Sequence, residues 1–190
     1  MCLMVRHILG SRWSVRQMRI EKELLGNRIQ MRNYRDSDLA FVTSMWFDTE
    51  NGKYMSDPTA EYVDDTFQKA LDTLSDSKYG YYLVIEDIKT GEKVGSFCMF
   101  PDENGTTFDI GYCILKSRWR QGYASEAIMI ALDWLRDHGA MKVTAEVAVD
   151  NIASNALLRK MGFEVEKTAS FKKYNMDISF ESYIYAKIVC

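Results

Sequence analysis

An apolar stripe with helical spacing begins directly after Gly122, in the stretch RWRQGYASEAIMIALDWLRDHG at residues 118–139. The stripe repeats at intervals of three and four residues, which is typical of a helix with one buried face, and it consists of Ala124, Ala127, Ile128, Ala131, Leu132 and Leu135. Strand-like runs stand on both sides of this helix, TTFDIGYCIL before it and MKVTAEVAV after it. A strand, a helix and a strand in this order predict at least one pair of parallel strands.

Further strands and helices extend this unit in both directions. The runs RIQMRNY, YYLVIED and KVGSFCMF precede it, and FEVEKTASF and FESYIYAKIV follow it. Helical spacing in residues 36–46, with Asp36 or Ser37 as N-cap, in residues 57–74, with Pro58 near the start, and in residues 151–162, which Gly162 can end, predicts three more helices. The short turns between successive strands favour an antiparallel meander. The predicted class is α/β (α+β), with one mixed sheet and about four helices.

Charge and composition limit the domain organisation. The 190 residues include 47% apolar and 27% charged residues, which predicts one soluble domain. Residues 1–26 carry five Arg or Lys and two Glu, so we interpret them as a basic N-terminal extension, poorly ordered, before a single domain at 27–190. A frayed terminus is the favoured interpretation, and contact with RNA, a ribosome or a membrane surface is the alternative. The net charge of −3 gives no field that would attract nucleic acid.

Cysteine and histidine usage excludes several classes of site. The four cysteines form no C-x-x-C pair, which indicates reduced thiols and a cytoplasmic protein, and they are Cys2, Cys98, Cys113 and Cys190. The two histidines lie far apart, so neither a zinc site nor a histidine-based hydrolase triad is predicted, and we expect no metal. The apolar runs are too short and too broken by arginines for a signal peptide or a membrane span.

The loop before the long helix has the properties of an anion site. Gly122 allows a ligand to approach the backbone and tolerates positive φ, the helix N-terminus favours negative charge, and Arg118 or Arg120 can add charge-assisted hydrogen bonds. A tight turn with two solvated arginines explains the same residues. The stretch is not a Walker A loop, and it lacks the three glycines of the dinucleotide fingerprint.

Two stretches, GYCILKSRWRQGYASEAIMIAL and VAVDNIASNALLRKMGF, resemble the GNAT family of acetyl-CoA-dependent N-acetyltransferases, and in particular its RimJ/RimL-like branch. The family loop Q/R-x-x-G-x-G/A falls on Trp119, Gly122 and Ala124, where Trp119 departs from the pattern. The remaining matches are the I-G-Y of the branch, its small residue followed by Glu-Ala, and its N-x-x-S…G-F element; they fall on Ile110, Gly111, Tyr112, Ser125, Glu126, Ala127, Asn151, Ser154, Gly162 and Phe163.

The resemblance implies a sheet that splays apart between its two central parallel strands, with acetyl-CoA in the gap as acyl donor. Pantetheine would bond to strand backbone around Ile114 and Leu115. The pyrophosphate would lie on the arginines and the helix start, and these positions are Arg118, Arg120, Gln121, Gly122, Tyr123, Ala124 and Ser125. Asn151 would hold either the pantetheine or the turn.

The resemblance also suggests the catalytic groups. Many family members use a helix tyrosine as the acid, but the matching position is Leu158, so we expect Ser154 to serve the leaving thiol. Capping of the helix that begins near Ile152 is the alternative role for Ser154. For the general base we rank Asp109 before Glu146, and a water chain or a substrate-supplied base stays open.

The acceptor is expected to be a cationic amine, such as a peptide or ribosomal-protein N-terminus or a small molecule, because the body of the domain is acidic. Aromatic side chains that could form its walls are Trp46, Phe47, Tyr54 and Tyr62. We expect direct attack in a ternary complex, without membrane or nucleic acid, and a homodimer is possible. The alternatives are a non-catalytic acyl-CoA-binding module and a ribosome-associated module.

Overall fold

A computed structural model describes residues 17–190. Eight strands form one sheet, and their bounds are β1 Leu24–Leu25, β2 Ile29–Asn33, β3 Tyr81–Asp87, β4 Lys93–Pro101, β5 Thr107–Ile114, β6 Lys142–Ala148, β7 Glu164–Lys172 and β8 Ser179–Ile188. The four α-helices within these residues are α1 Leu39–Trp46, α2 Asp65–Asp72, α3 Tyr123–Asp137 and α4 Ile152–Lys160. The predicted α/β class is confirmed.

The strand order in the sheet is β1-β2-β3-β4-β5-β6-β8-β7. Neighbouring strands are antiparallel except β5 and β6, which are parallel and are joined by α3. The strand–helix–strand unit therefore produces the predicted parallel pair, and the short turns produce the predicted meander of β3, β4 and β5.

The parallel pair separates after three residues. The strands are in register at Thr107 with Lys142, Phe108 with Val143 and Asp109 with Thr144, and the pairing then stops. Beyond this point β5 stays paired with β4 up to Ile114, while β6 stays paired with β8 up to Ala148. The two halves of the sheet thus diverge from a shared base, and the predicted splay is confirmed.

Side chains alternate between two cores because successive residues of a strand point to opposite faces of the sheet. One face packs under α3, whose buried residues include Ala127, Ile128, Ala131 and Leu135, so the stripe that the sequence predicted forms this core. The other face packs under α1 and α2 through Trp46 and Phe67. The small residues of the stripe allow α3 to lie close to the sheet at the splay.

Two helix starts differ from prediction. A 3₁₀ turn at Asp36–Asp38 precedes α1, and neither Asp36 nor Ser37 is its N-cap. The N-cap of α2 is Asp64, which accepts a hydrogen bond from the amide of Phe67 at 2.8 Å. Pro58 lies before a separate 3₁₀ turn, Ala60–Tyr62, and not at the start of α2.

The residues ahead of the predicted boundary at 27 are partly packed. Ile20 and Leu24 are buried in the core under α3, and Leu24 pairs with Met31 of β2. Ile20 and Leu24 therefore belong to the folded domain. The first sixteen residues, with most of the predicted basic extension and Cys2, lie outside the described residues.

None of the helices within residues 17–190 combines the length and the apolar composition of a membrane span. The same part of the chain contains no group of His, Cys, Asp and Glu side chains that could hold a metal ion.

Candidate active site

A cavity of about 610 Å³ lies at the splay of the sheet. Its walls come from the diverging parts of β5 and β6, from the loop before α3 and from the first turn of α4. The loss of strand pairing after Asp109 creates this space, because the edges of β5 and β6 no longer fill each other's hydrogen-bonding positions. The fold thus places the cavity where the sequence predicted a ligand.

The loop before α3 has an unusual backbone. Gly122 is the N-cap of α3 with φ of 85°, and Arg120 also has a positive φ of 58°. In the described part of the chain, no hydrogen bond from the backbone amides of residues 120–125 is found. These amides stand at the positive end of a fifteen-residue helix, which is the arrangement that binds phosphate oxygens.

A clamp that sequence reasoning missed holds this loop. Arg28, just before β2, donates from its backbone amide to Glu126 Oε1 at 2.7 Å and from Nε to Glu126 Oε2 at 2.9 Å. Its Nη1 donates to the carbonyl of Gln121 at 2.9 Å. A Cβ at Gly122 would lie 3.1 Å from Nη2 of Arg28. Because Gly122 has no side chain, the backbone amides of residues 120–125, which we call the cradle, stay accessible beneath the guanidinium of Arg28.

The two arginines of the loop differ in their surroundings. Arg118 lines the cavity and forms an ion pair with Glu92. Arg120 also lines the cavity, and within residues 17–190 no ion pair of Arg120 is found. Arg120 is therefore the more available of the two for a bound anion.

The end of β5 is already hydrogen-bonded to the protein. Trp119 Nε1 donates to the carbonyl of Ile114 at 2.7 Å, and Asn51 Nδ2 donates to the same carbonyl at 3.2 Å. Ile114 lines the cavity, whereas Leu115 packs in the core under α1 and α2. Trp119, where the family pattern has Gln or Arg, thus stabilises the end of the strand.

The start of α4 separates the roles of Asn151 and Ser154. The N-cap is Asn151, whose Oδ1 accepts a hydrogen bond from the amide of Ser154 at 3.2 Å. Capping by Ser154, the alternative role that the sequence left open, is therefore wrong, and Asn151 holds the turn. Ser154 lines the cavity. Leu158 is fully buried in the core under α3.

The two candidate bases lie on the sheet face that packs under α1 and α2. Asp109 accepts a hydrogen bond from Thr144 Oγ1 at 2.8 Å, at the last paired position before the splay. Glu146 lies two residues further along β6, lines the cavity and accepts a hydrogen bond from Ser182 Oγ at 2.7 Å. The side chain of Asp109 is not part of the cavity wall. Glu146 therefore has the more direct access to a ligand.

A third carboxylate, Asp57, was not anticipated from the sequence. It lies in the segment between α1 and α2, is 6% exposed and lines the cavity. Lys173, which is buried, holds this segment in place by donating from Nζ to the carbonyl of Asp57 at 3.0 Å and to that of Gly52 at 2.9 Å. Only the fold reveals this residue, because it comes from a loop without a motif.

Asp57 also influences two thiols of the same face. Burial, with an added contribution from Asp57, raises the pKa of Cys113 to about 12. Burial also raises the pKa of Cys98 far above its ordinary range, with contributions from Asp109 and Asp57. Both thiols therefore stay protonated near neutral pH and are poor nucleophiles.

Most of the predicted cofactor-binding residues come together at the cavity. Those in its wall are Ile114, Arg118, Arg120, Gly122, Tyr123, Ala124, Ser125, Asn151 and Ser154, whereas Leu115 and Gln121 are not in it. Among the predicted aromatic walls, Trp46 and Tyr54 line the cavity. The cavity thus has an amide-rich helix start on one side of a split parallel pair and carboxylates on the other.

The chain belongs to the GNAT acetyltransferase family, since residues 28–164 match the acetyltransferase (GNAT) domain. It is similar to the uncharacterized protein YkkB of Bacillus subtilis, with 30% identity over 172 residues that cover 85% of this chain and 95% of YkkB. The protein is therefore an acetyl-CoA-dependent acyltransferase, and acetyl-CoA is the acyl donor.

Solved structures share the fold. RimL, a ribosomal L7/L12 α-N-protein acetyltransferase in complex with coenzyme A, superposes with a TM-score of 0.73 at 17% identity, and the match covers 88% of this chain and 98% of RimL. Spermidine N-acetyltransferase from Vibrio cholerae, in complex with CoA and spermine, superposes with a TM-score of 0.70 at 17% identity over 86% of this chain and 97% of that enzyme.

Proposed function

We propose that the protein transfers an acetyl group from acetyl-CoA to a cationic primary amine, either a peptide N-terminus or a small molecule, by direct attack in a ternary complex. The observation that carries this proposal is the division of charge along the cavity. Arg118 and Arg120 stand at the loop before α3, and the acidic lining residues Asp57 and Glu146 stand elsewhere in the wall. One end suits a diphosphate and the other suits an ammonium group.

The two faces of the sheet agree with this division of charge, since the donor site and the amine site lie on opposite faces. Val143, Ala145 and Val147 of β6 point into the core under α3, so Glu146 points to the opposite face. The anion-binding loop belongs to the α3 side, and the carboxylates belong to the α1 and α2 side. The donor then enters from one face, the amine enters from the other, and they meet in the gap between β5 and β6.

The amine must lose a proton before it attacks, since its pKa is roughly 8 for an α-amine and 10 for a lysine. Glu146 and Asp109 are the carboxylates beside the gap, and cavity access favours Glu146. Asp57 binds the ammonium form of the substrate before this step. The site therefore favours a cationic amine over an uncharged ligand. Ser154, at the start of α4, supplies the proton to the leaving thiol.

Direct attack is favoured over an acetyl-enzyme. Cys98 lines the cavity and is the obvious candidate for a covalent carrier. Burial raises its pKa, so the thiolate that would attack a thioester is nearly absent at neutral pH. The acetyl group therefore passes directly to the amine, without a covalent acetyl-enzyme.

A screen of amines with acetyl-CoA, which follows the release of free thiol, tests the function. RimL and spermidine N-acetyltransferase, which share the fold, suggest the first two acceptor classes. These are N-terminal peptides of ribosomal proteins and polyamines such as spermidine. Lysine side chains and neutral amines complete the set. We expect turnover with a cationic amine and no thiol release before the amine is added.

A variant of Asp57 tests whether this residue binds the amine substrate. Asp57→Asn is expected to raise KM for the cationic amine about tenfold while the Kd for CoA stays within twofold. Glu61→Gln, an exposed acidic residue outside the cavity wall, is the matched control. CoA binding without turnover on any amine contradicts the proposed reaction and favours a binding module.

A further inference from the structure

Two successive cross-strand pairs of β4 and β5 carry only small side chains at the cavity. Cys98 lies opposite Gly111, and Ser96 lies opposite Cys113. The residues that alternate with them, such as Phe97, pack in the core under α3, so these four positions face α1 and α2. All four line the cavity. Because their side chains are short, they leave a flat surface on the sheet, which we call the floor.

Aromatic side chains surround the floor from three directions. Tyr82 of β3 lies opposite Cys98 in the sheet, and Phe100 follows two residues after Cys98 on β4. The rings of Tyr82 and Phe100 meet edge to face with centroids 5.6 Å apart. Trp46 of α1 contacts the floor at Ser96, where Nε1 donates to Oγ at 3.0 Å. All three rings line the cavity, and the remaining direction, toward β6, is the splay.

The thiols of the floor are hydrogen-bonded within the protein, as the serine hydroxyl is. Cys113 Sγ accepts a hydrogen bond from Asn51 Nδ2 at 3.0 Å. Cys98 Sγ donates to the carbonyl of Gly111 at 3.5 Å. A ligand with several hydroxyl or ammonium groups on the floor would lose hydrogen bonds to water there, which is costly. The floor and its three rings therefore favour an apolar ring, which also gains from edge-to-face contact with aromatic side chains.

Glu146 lies across the splay at the level of the floor. Asp109 pairs with Thr144 at the last parallel position, so Gly111 and Glu146, two residues further along each strand, stand at the same level on the two diverging strands. A ring centred between β4 and β5 and an ammonium group in the gap beside Glu146 are separated by about one and a half strand spacings, or about 7 Å. A chain of about two or three carbon atoms spans this distance from the ring.

We propose that the floor binds the aromatic ring of the acceptor, so that the acceptor is a small arylalkylamine with one amino group on a linker of about two or three carbon atoms. The inference rests on the proposed function, because it assigns the substrate class of the same cavity. The ring lies on the small side chains between Tyr82, Phe100 and Trp46, and the amino group reaches the gap beside Glu146. A polyamine would instead bring a second ammonium group onto the floor, where none of the four side chains is acidic.

The first experiment compares acceptors in the wild-type protein. The value of kcat/KM is measured by thiol release for 2-phenylethylamine, ethylamine, spermidine and a peptide that begins with alanine. We expect 2-phenylethylamine to exceed each of the others at least tenfold, because only its ring removes a large apolar surface from water on the floor. An equal or higher kcat/KM for spermidine or for the peptide would overturn the proposal and leave the proposed function standing.

The second experiment fills the floor. Gly111 lies in an extended strand without positive φ, so Gly111→Val adds a side chain that suits the strand. We expect KM for 2-phenylethylamine to rise at least tenfold, while kcat/KM for ethylamine and the Kd for CoA stay within about threefold. Cys98→Leu fills the neighbouring position and should have the same effect. Thr168→Val, with the same new side chain as Gly111→Val on an exposed position of β7 outside the cavity wall, is the control. A wild-type KM for 2-phenylethylamine in folded Gly111→Val and Cys98→Leu would contradict a ring site on the floor.

A third measurement needs no turnover. Calorimetric titration of 2-phenylethylamine into the complex of the protein with CoA should show saturable binding that is at least tenfold weaker in Gly111→Val. Such binding without turnover on any amine would contradict the proposed function and still support the ring site. Turnover on other amines, with no binding of 2-phenylethylamine to the wild-type complex, would overturn the ring site alone.

Discussion

Arg28 and Glu126 connect the start of β2 to the first turn of α3 through two hydrogen bonds, one of 2.7 Å from the backbone amide and one of 2.9 Å from Nε. The carboxylate of Glu126 is 8% exposed, and the guanidinium also holds the carbonyl of Gln121. The loop that is expected to bind the diphosphate is therefore fixed before the ligand arrives. Such preorganisation increases affinity by reducing the ordering that binding would otherwise require.

Arg28→Met should weaken CoA binding about tenfold, which corresponds to about 1.4 kcal/mol. The change leaves the buried carboxylate of Glu126 without its guanidinium, so the thermal midpoint should fall as well. Calorimetric titration with CoA measures the affinity. Arg136→Met is the control, because Arg136 forms an exposed ion pair with Asp133 at the other end of α3. Equal CoA affinities in Arg28→Met and wild type would show that the clamp does not serve the ligand.

Gly122→Val is expected to weaken CoA binding by at least tenfold, about 1.4 kcal/mol. The new side chain would meet Arg28 and fill the cradle, and its backbone would be strained at φ of 85°. Gly139→Val is a matched control: Gly139 has the same φ of 85° at the opposite end of α3, and a Cβ there meets no atom within 4 Å. A similar loss of affinity in both variants would mean that backbone strain, rather than the cradle, explains the effect.

Asn151→Ala and Ser154→Ala should separate stability from catalysis at the start of α4. Asn151 caps the helix, so its removal should cost about 1 kcal/mol of unfolding free energy. Ser154 contributes only its backbone amide to that cap, so Ser154→Ala should leave the unfolding free energy nearly unchanged while kcat falls. Urea denaturation and steady-state kinetics on the same samples provide both values. Normal turnover in Ser154→Ala would exclude the serine as the acid.

The fold and half of the site follow from local patterns, whereas the other half depends on tertiary contacts. The stripe after Gly122 and the flanking strands predicted the parallel pair, because periodicity and element order are properties of neighbouring residues. Arg28 and Asp57 gained their roles only in the fold. Arg28 is far from Glu126 in sequence, and Asp57 lies in a loop whose position depends on the buried Lys173. The predicted N-cap of α1 was wrong because Asp36 and Ser37 lie in a 3₁₀ turn, and the carboxylate of the actual N-cap, Asp38, pairs with Arg32 instead of capping the helix.

Asp38 is expected to make stability depend on acid pH. It is fully buried and accepts bonds of 2.7 and 2.9 Å from the guanidinium of Arg32. Burial alone would raise its pKa, but the hydrogen bonds from Arg32 and Lys93 outweigh burial and hold the pKa well below its ordinary value of 3.8. A depressed pKa in the folded state stabilises the fold above the unfolded pKa, and this contribution is lost as pH falls below about 4.

Asp38→Asn should therefore lower the unfolding free energy by about 3–5 kcal/mol at pH 7, and its difference from wild type should stay the same at pH 5 and shrink as pH falls below about 4. Urea denaturation at pH 7, 5 and 3 measures this difference. Asp133→Asn, at an exposed ion pair, serves as control and should change stability by less than about 1 kcal/mol at each pH. A difference that is equally large at pH 3 and pH 7 would argue that packing, and not ionisation, explains the effect of Asp38.

The identity of the general base is tested by Asp109→Asn and Glu146→Gln across pH 6 to 10. Loss of a general base should lower kcat/KM by roughly 10²–10⁴. The loss should be largest below the pKa of the acceptor amine and should shrink as pH rises toward it, because a free amine no longer needs the base. Glu146 lines the cavity whereas Asp109 is hydrogen-bonded to Thr144 at the closed end of the splay, so we expect the larger effect in Glu146→Gln.

An effect of Asp109→Asn that does not change with pH would indicate that this residue only holds β5 to β6. If both variants keep the wild-type rate and pH profile, water accepts the proton and the positioning of the two substrates provides most of the rate.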